Sequence, residues 1–598
     1  MMSWWEHFPG RLEYEIQALE NAGYTCKKDD ESFKRGPGAL RISTTLEGWG
    51  AIRLTVRFSY FYPYFPFQVF AEELKLKHHL QPFSKNLCLI GRAPERWYPE
   101  WTIAQVLDEM LPKALEAGHT DDADRAKILE QDQAEPFSNY YRYSPGSSVI
   151  WDSRWTLPPG ISEGSLLIGF HPNKPAEKER RDLNSEHLDR KQRELMALPQ
   201  NGAVLKVMDD RRELLFEADP RIRQLFSETC QNGWWVRLES PIPEDDPIKF
   251  FSALMERRPS LKRRLDVSLK SRYSFTTIIG VVFPEEVARR EVADGWLYLR
   301  VTLYKKKGQI QYWPLLMRPQ RGGLFDLSSR LPFFSLLNQK KVALIGLGCL
   351  GAPSALELAR SGIGELRIMD HDVVDVGTTV RWPFGFAEAG NDKVDIITSY
   401  IGQHYPYTAV VPFHLPLGLD PFEKPENDLQ VIERFLEGAD LIYDASADLN
   451  VNHLLSDLAK ERQIPYLAIS TTYGAWGGQI VRIVPGKTDG CWSCYRHALA
   501  NKDIPFAQSD PAGQIQPGGC GTPTYTGASF DAQEIALAGV RLSVSTLTAG
   551  EPNGYPAMDW DVAILNLRDS AGNAVPPQWQ TYSLPRHPSC PYHPESPE

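Results

Sequence analysis

At 598 residues the chain is too long for a single core, and a hydrophobic share of 42% is enough to fill three or four folded domains. A net charge of −11 argues against nucleic acid as the main partner. No uninterrupted apolar stretch approaches the roughly 20 residues of a membrane-spanning helix, and the start, Met-Met-Ser-Trp-Trp-Glu-His, lacks a basic segment followed by an apolar run. Eight cysteines are too sparse for a disulfide framework, so a reducing cytoplasm is expected.

In chain order, Leu12, Ile16 and Leu19 recur at helical spacing, and 39–43 and 51–58 read as strands closed by the Tyr62-Pro-Tyr-Phe-Pro turn. An α+β domain over residues 1–135 follows from this. Next come His78, His79, Cys88, Trp97, Trp101 and an apolar-periodic run from Thr102 to Leu115. This order resembles the ubiquitin-conjugating fold, which has a histidine ten residues before a Leu-Cys-Leu cysteine, then tryptophan and a helix. The resemblance implies that Cys88 accepts an acyl group by thioester exchange. The conjugating family places an asparagine two residues after its histidine to hold the oxyanion of amine attack, but here that position is Leu80. Asn86 or a backbone N–H is expected to serve instead. His78 and His79 are candidates for proton transfer or plain surface residues.

The polar stretch from Gln133 to Pro159 reads as a linker into a middle domain, 136–330. Within it 166–170, 203–208, 234–238, 275–283 and 296–304 read as strands, for a mostly β or α+β domain. The charged run from Lys178 to Arg193 reads as a solvated helix face or loop.

Residues 331–598 open on Lys341-Val-Ala-Leu-Ile, a buried-strand pattern that runs into Gly346-x-Gly348-x-x-Gly351, with Asp370 and Asp372 ending the next strand-like run. Glycines let a backbone turn tightly and approach phosphates, and an acidic group about 20 residues on holds ribose hydroxyls. A nicotinamide or flavin enzyme reads the same way to this point. Arg381 and Lys393 separate the readings, because cations near the phosphate site suit charge building on phosphorus and hydride transfer has no need of them.

These motifs together resemble the ThiF/MoeB and ubiquitin-activating adenylation fold. The resemblance implies ATP and Mg²⁺, with AMP joined to the C-terminal carboxylate of a small protein. Asp370 would then take the ribose, and Arg381 and Lys393 the phosphate oxygens. The family's Asn-Leu-x-Arg-Gln is Thr378-Thr-Val-Arg381-Trp382 here, and its Mg²⁺-binding aspartate meets Asp444-Ala-Ser-Ala-Asp448, where Asp448 is the candidate. The expected fold class is multidomain α/β: a ubiquitin-conjugating-like α+β domain, an α+β middle domain and a Rossmann-like ThiF/MoeB domain.

Cys491-Trp-Ser-Cys494 and Cys590-Pro-Tyr-His593 offer the four soft and borderline ligands that structural Zn²⁺ prefers, with a redox C-x-x-C or four unconnected residues as the other reading. Cys520 stands in the glycine- and proline-rich loop Gln516-Pro-Gly-Gly-Cys520-Gly-Thr-Pro-Thr524, shortly before a helix starting near Asp531, a setting that favours exposure and a lowered thiol pKa. By resemblance this is the crossover-loop position of the first thioester. Cys26, Cys230 and Cys349 read as structural.

One adenylation site and two thiols imply a relay in which ATP activates a protein C-terminus, Cys520 captures it, Cys88 receives it and a lysine amine of a target takes it. The domain order resembles the activating and conjugating fusion of bacterial CBASS antiphage operons. That resemblance implies that the activated protein is a cGAS/DncV-like nucleotidyltransferase and that the adenylation domain homodimerises. A dedicated ubiquitin-like protein or sulfur carrier is the alternative partner, a NAD-dependent oxidoreductase is a further reading, and a scaffold with both enzyme folds inactive is another.

Overall fold

The computed structural model describes residues 3–46, 48–90, 97–129, 134–171, 201–269, 274–306, 309–418, 427–516 and 524–593. Cys520 and the run from Lys178 to Arg193 lie outside the described residues. The chain divides into two compact units, one of Met1–Ala218 with Phe226–Arg321 and the other of Asp219–Leu225 with Gly322–Glu598.

The first unit begins with a five-stranded antiparallel sheet in sequential order: β1 (Thr25–Lys28), β2 (Ala39–Leu46), β3 (Gly50–Arg57), β4 (Gln68–Phe70) and β5 (Asn86–Leu87). Leu40 and Ile42 are buried on either side of the exposed Arg41 on β2, and Ile52, Leu54 and Val56 alternate with the less buried Arg53 and Thr55 on β3, so one face is buried. Two helices, α1 (Arg11–Asn21) and α2 (Ile103–His119), contribute Leu12 and Leu19, and Ile103, Leu107 and Leu111, to that same core. Glu15 is completely buried and joins them: its Oε2 accepts the Ile103 N–H at 2.8 Å at the start of α2, and its Oε1 accepts from Arg11 and from the Tyr62 hydroxyl. A capping box between Thr102 and Gln105 satisfies further N–H groups of that first turn.

The same unit holds a second sheet, of eight strands: β6 (Ser148–Trp151), β7 (Glu163–Phe170), β8 (Asn201–Asp209), β9 (Leu214–Glu217), β10 (Thr229–Arg237), β11 (Ser274–Ala288), β12 (Glu291–Lys306) and β13 (Gln309–Arg321). Their order is β6-β13-β12-β11-β10-β7-β8-β9, and because β6 also pairs with β8, the first seven strands of that order close on themselves. Each of the seven sends side chains into one cluster, among them Trp151, Ile168, Val207, Trp235, Ile278, Trp296 and Met317. The helices α3 (Pro247–Arg257) and α4 (Pro259–Leu269) bury Phe250, Leu254 and Leu265 in a second cluster with Ile279, Val281 and Leu299.

Reading the whole of Gln133 to Pro159 as linker is corrected here. Ser148–Trp151 is a strand paired in parallel with β13, and Phe137–Tyr140 forms a turn of 3₁₀ helix. Val149 and Trp151 are buried at alternate positions, a period-two signal hidden by the polar and proline residues on either side.

The second unit carries a sheet in the order β16-β15-β14-β17-β18-β19-β22-β23. Five strands are parallel: β14 (Lys341–Ile345), β15 (Glu365–Asp370), β16 (Ala409–His414), β17 (Leu441–Asp444) and β18 (Tyr466–Thr471). The antiparallel strands β19 (Gly477–Ile483), β22 (Val562–Arg568) and β23 (Ala574–Tyr582) extend it. The short pair β20 (Gln514–Ile515) and β21 (Thr524–Tyr525) flanks the residues that include Cys520. Helices α5 (Gly351–Arg360), α6 (Lys393–His404) and α9 (Ser529–Leu547) pack in one core cluster, while α7 (Leu449–Arg462) and α8 (Trp492–Asn501) contribute to the other. Parallel strands buried on two faces explain the continuous apolar runs Val342–Ile345 and Leu441–Tyr443. The topology is the Rossmann-like α/β arrangement, in which a ligand sits beyond the carboxyl ends of the parallel strands. Among the described residues no helix is long and apolar enough to cross a membrane.

Candidate nucleotide, thiol and metal sites

The chain leaves the carboxyl end of β14 at Gly346, whose φ of +83° is in the left-handed region. A Cβ there would lie 2.7 Å from the Ala445 backbone, and one on Gly351 would lie 1.7 Å from the Gly346 carbonyl oxygen, so neither position admits a side chain. Gly348 is different: a Cβ there meets nothing within 4 Å, which leaves its backbone open to approach. The loop then enters α5, and its geometry suits a phosphate-bearing ligand.

Asp370, at the end of β15, spends its carboxylate on this architecture. Oδ2 accepts the Leu347 N–H at 2.5 Å, and Oδ1 accepts the His371 and Asp372 N–H groups at 2.7 and 2.8 Å. It therefore anchors the glycine loop to β15, and both of its oxygens already accept backbone N–H groups. Asp372 is more than half exposed and pairs with Lys393 Nζ at 2.9 Å.

Arg381 is buried. Its guanidinium donates to the Tyr525 carbonyl oxygen at 2.6 Å and to Thr524 Oγ1 at 3.0 Å, and it lies 4.4 Å over the Tyr525 ring. Its Nε is buried with no acceptor among the described residues, which fits an anion not represented by protein atoms. Burial raises the Cys349 thiol, and the Tyr525 hydroxyl, Arg381 and Lys393 oppose the rise. Lys393 reaches the loop through its partner Asp372, whose N–H donates to the same Asp370 carboxylate that holds Leu347. Cys349 Sγ is 2.6 Å from the Tyr525 hydroxyl, a tie between this loop and β21. Trp382, where the resemblance led to a glutamine, is buried and donates from Nε1 to the Leu347 carbonyl oxygen at 2.7 Å, supporting the loop from behind.

Asp448 caps α7, accepting the Asn450 and Val451 N–H groups at 2.7 and 3.1 Å. Asp444, four residues earlier, is fully buried and accepts from Ser446, Asn452 and Tyr466. Burial raises its pKa, and those donors oppose the rise. Asp444 shapes the end of β17, and Asp448 is the acidic group of this turn that reaches solvent.

In the first unit Cys88 follows β5 directly and is exposed. Its N–H donates to the His79 carbonyl oxygen at 2.7 Å, so it is not the open oxyanion donor that Leu80 fails to provide. Leu80 itself is buried and bridges Leu87. His79 has a φ of +62°, and its N–H donates to Glu135 Oε2 at 2.9 Å. The Tyr140 hydroxyl donates to that same oxygen at 3.0 Å. Burial first, then Glu135, pushes the Tyr140 phenol upward, and Cys88 is among the groups whose charge acts on it. His78 faces Glu286 at 3.3 Å and is held below its ordinary imidazole range by burial and by Arg290. Glu135, Tyr140 and Glu286 carry no motif, and nothing in the sequence connects them to Cys88.

Cys491, Cys494, Cys590 and His593 come together with ligand atoms all within 4.8 Å of one another. The sulfur separations are 3.8 Å for Cys491 to Cys494 and 3.6 Å for Cys491 to Cys590. Bonds of about 2.3 Å to a tetrahedral zinc place sulfurs about 3.8 Å apart, so the spacing fits. His593 Nε2 is buried with no partner among the described residues, as an uncoordinated ligand nitrogen would be. Burial and the adjacent thiols push Cys491 up to about 12, a cost that a bound cation would reverse.

The unit with the glycine loop and the N-terminal domain with the exposed thiol correspond to a ThiF-class adenylation domain and an E2-like domain. The ThiF family matches residues 330–535, and prokaryotic E2 family B matches residues 18–148. The uncharacterized protein y4oA of Sinorhizobium fredii is 29% identical over 98% of this chain and 97% of its own length. The adenylyltransferase and sulfurtransferase MOCS3 of Xenopus laevis is 30% identical over 24% of this chain and 30% of its own. Among solved structures, E. coli MccB with ATP is 16% identical, covering 43% of this chain and 67% of that one at a TM-score of 0.32. The chain is an enzyme of the ubiquitin-like activating and conjugating class.

Proposed function

We propose that this protein activates the C-terminal carboxylate of a partner protein by ATP- and Mg²⁺-dependent adenylation, captures it as a thioester on Cys520, passes it to Cys88 and delivers it to a lysine amine. The observation that supports this best is the buried Arg381, whose Nε has no acceptor among the described residues and whose partner Tyr525 reaches Cys349 of the glycine loop at 2.6 Å, in a chain that also presents the exposed Cys88. Two cations beside the phosphate-binding loop favour adenylyl transfer, in which negative charge develops on the leaving pyrophosphate. A thiolate is the natural captor of the mixed anhydride, and each transfer exchanges one activated acyl bond for another. Asp372 and Asp448 are the acidic groups available to Mg²⁺, and the Cys491 knuckle is assigned to structural zinc. The activated partner is taken to be a cGAS/DncV-like nucleotidyltransferase in antiphage defence, with the enzyme acting as a cytoplasmic homodimer.

The test incubates the protein with ATP, Mg²⁺ and the candidate partner, then runs a non-reducing gel on wild type, Cys520→Ala and Cys88→Ala. Wild type and Cys88→Ala should form a reductant-sensitive adduct, and Cys520→Ala should form none. A Cys88 adduct that survives loss of Cys520 would break the order of the relay. An adduct formed only with a ubiquitin-like protein would reassign the partner and keep the chemistry.

A further inference from the structure

Glu286 and Arg290 stand on the hairpin between β11 and β12, more than 190 residues beyond Cys88 in the chain. A register shift between Glu286 and Ala288 re-aims this end of the hairpin, as bulges do. Glu286 Oε1 accepts the Arg290 N–H at 2.6 Å and pairs with Nη1 at 3.1 Å. Both side chains are almost fully buried, at 5% and 3% exposure. A buried ion pair is a poor means of gaining stability, because desolvation offsets most of the attraction. Its value lies in where it holds other groups.

Arg290 spends its remaining donors on the end of α2, Nη2 to the Ala117 carbonyl at 2.7 Å and Nε to the Thr120 carbonyl at 3.0 Å. Glu286 Oε2 accepts the Glu135 N–H at 2.9 Å and faces His78. The adjacent Glu285 accepts the Ser138 N–H at 2.7 Å and its hydroxyl at 3.0 Å. Segment 135–138 is thereby fixed at both ends. From Glu135 the chain of contacts continues to the His79 N–H, and from the His79 carbonyl to the Cys88 N–H. His79 has a left-handed backbone that a non-glycine residue adopts only when its surroundings require it.

We propose that Glu286 and Arg290 are positioning residues for Cys88, acting through Glu135 and His79 to hold the backbone that presents the thiol, so that the barrel-like middle sheet completes the conjugating site. The inference rests on the reading of Cys88 as the second acyl acceptor, but the geometric part of it can be tested without that reading.

The experiment uses the full-length chain and compares wild type, Glu286→Gln and the double variant Glu286→Gln/Arg290→Met. The double variant removes both charges together, so no unpaired ion is left buried. Iodoacetamide labelling is followed by peptide mass spectrometry at Cys88, with the exposed Cys230 on β10 as the internal reference. In parallel, ATP–pyrophosphate exchange and the discharge of the Cys88 thioester to free lysine are measured. In the double variant the labelling rate at Cys88 should change severalfold while that at Cys230 does not, and exchange should be unaltered. Lysine discharge should fall about 10- to 100-fold, as expected for a misplaced reacting group. Glu286→Gln keeps Arg290 and its ties to the Ala117 and Thr120 carbonyls as well as an acceptor for the Glu135 N–H, and should recover most of the discharge rate; a bulk loss of stability would give the opposite order, because this variant leaves a buried unpaired charge. A folded double variant with wild-type labelling and discharge overturns the proposal. A changed Cys88 labelling rate in a protein whose wild type forms no ATP-dependent adduct leaves the positioning intact and removes the relay.

Discussion

Arg381 lies 4.4 Å above the Tyr525 ring and donates to the Tyr525 carbonyl oxygen at 2.6 Å. The cation assigned to phosphate is therefore also tied to β21, the strand that follows the segment containing Cys520. Nη1 and Nη2 are engaged by this strand, and in the proposed site the buried Nε is the donor left for a ligand phosphate.

Because Nη1 and Nη2 hold β21 while Nε is left for a ligand, all three guanidinium nitrogens have a task, and Arg381→Lys should not substitute. ATP–pyrophosphate exchange is expected to fall about 100-fold or more. Tyr525→Phe keeps the ring under the guanidinium and should leave exchange nearly intact. A lysine variant with wild-type exchange would remove Arg381 from the phosphate site.

The cysteine and histidine knuckle predicts one zinc per chain by elemental analysis. Cys494→Ser, at a fully buried ligand, should lose that metal and lower the melting temperature by about 5–10 °C. Chelation of the wild type should do the same. A metal-free wild type with an unaltered melting temperature would leave four packed side chains and no ion.

Glu15 links α1, Tyr62 and the start of α2 from a fully buried position. Glu15→Ala leaves the Ile103 N–H and Arg11 Nε without their acceptor and should destabilise the first unit by about 3 kcal/mol. Glu15→Gln, which keeps one acceptor, should cost less. Denaturant titration followed by tryptophan fluorescence reads both.

His78 is held below its ordinary value of 6.5 by burial and by Arg290, so the unfolded chain takes up this proton first as the pH falls. Stability from this group is complete above pH 6.5 and is lost as the pH falls from there through the folded value. Glu286 is also lowered: backbone N–H groups and the Arg290 guanidinium outweigh the burial that raises it, and its contribution is lost in a separate window below pH 4.5. Melting temperatures between pH 5 and 8 should decline on the acid side for wild type and less steeply for His78→Gln. Parallel slopes would show that His78 does not titrate on unfolding.

The sequence alone determined the features built from short-range patterns. The glycine run after an apolar strand, the alternation on β2 and β3, the helical spacing of Leu12 and Leu19 and the two ligand knuckles each lie within a few residues, where backbone geometry decides side-chain direction. What only the tertiary structure decided are contacts between distant segments. Trp382 as a prop under Leu347, the tie from Cys349 to Tyr525, and the line from Glu286 through Glu135 and His79 to Cys88 all join residues far apart in the chain. None has a periodicity or spacing to betray it, because a hydrogen bond between remote segments depends on how the sheets and helices pack and leaves no local trace in residue order.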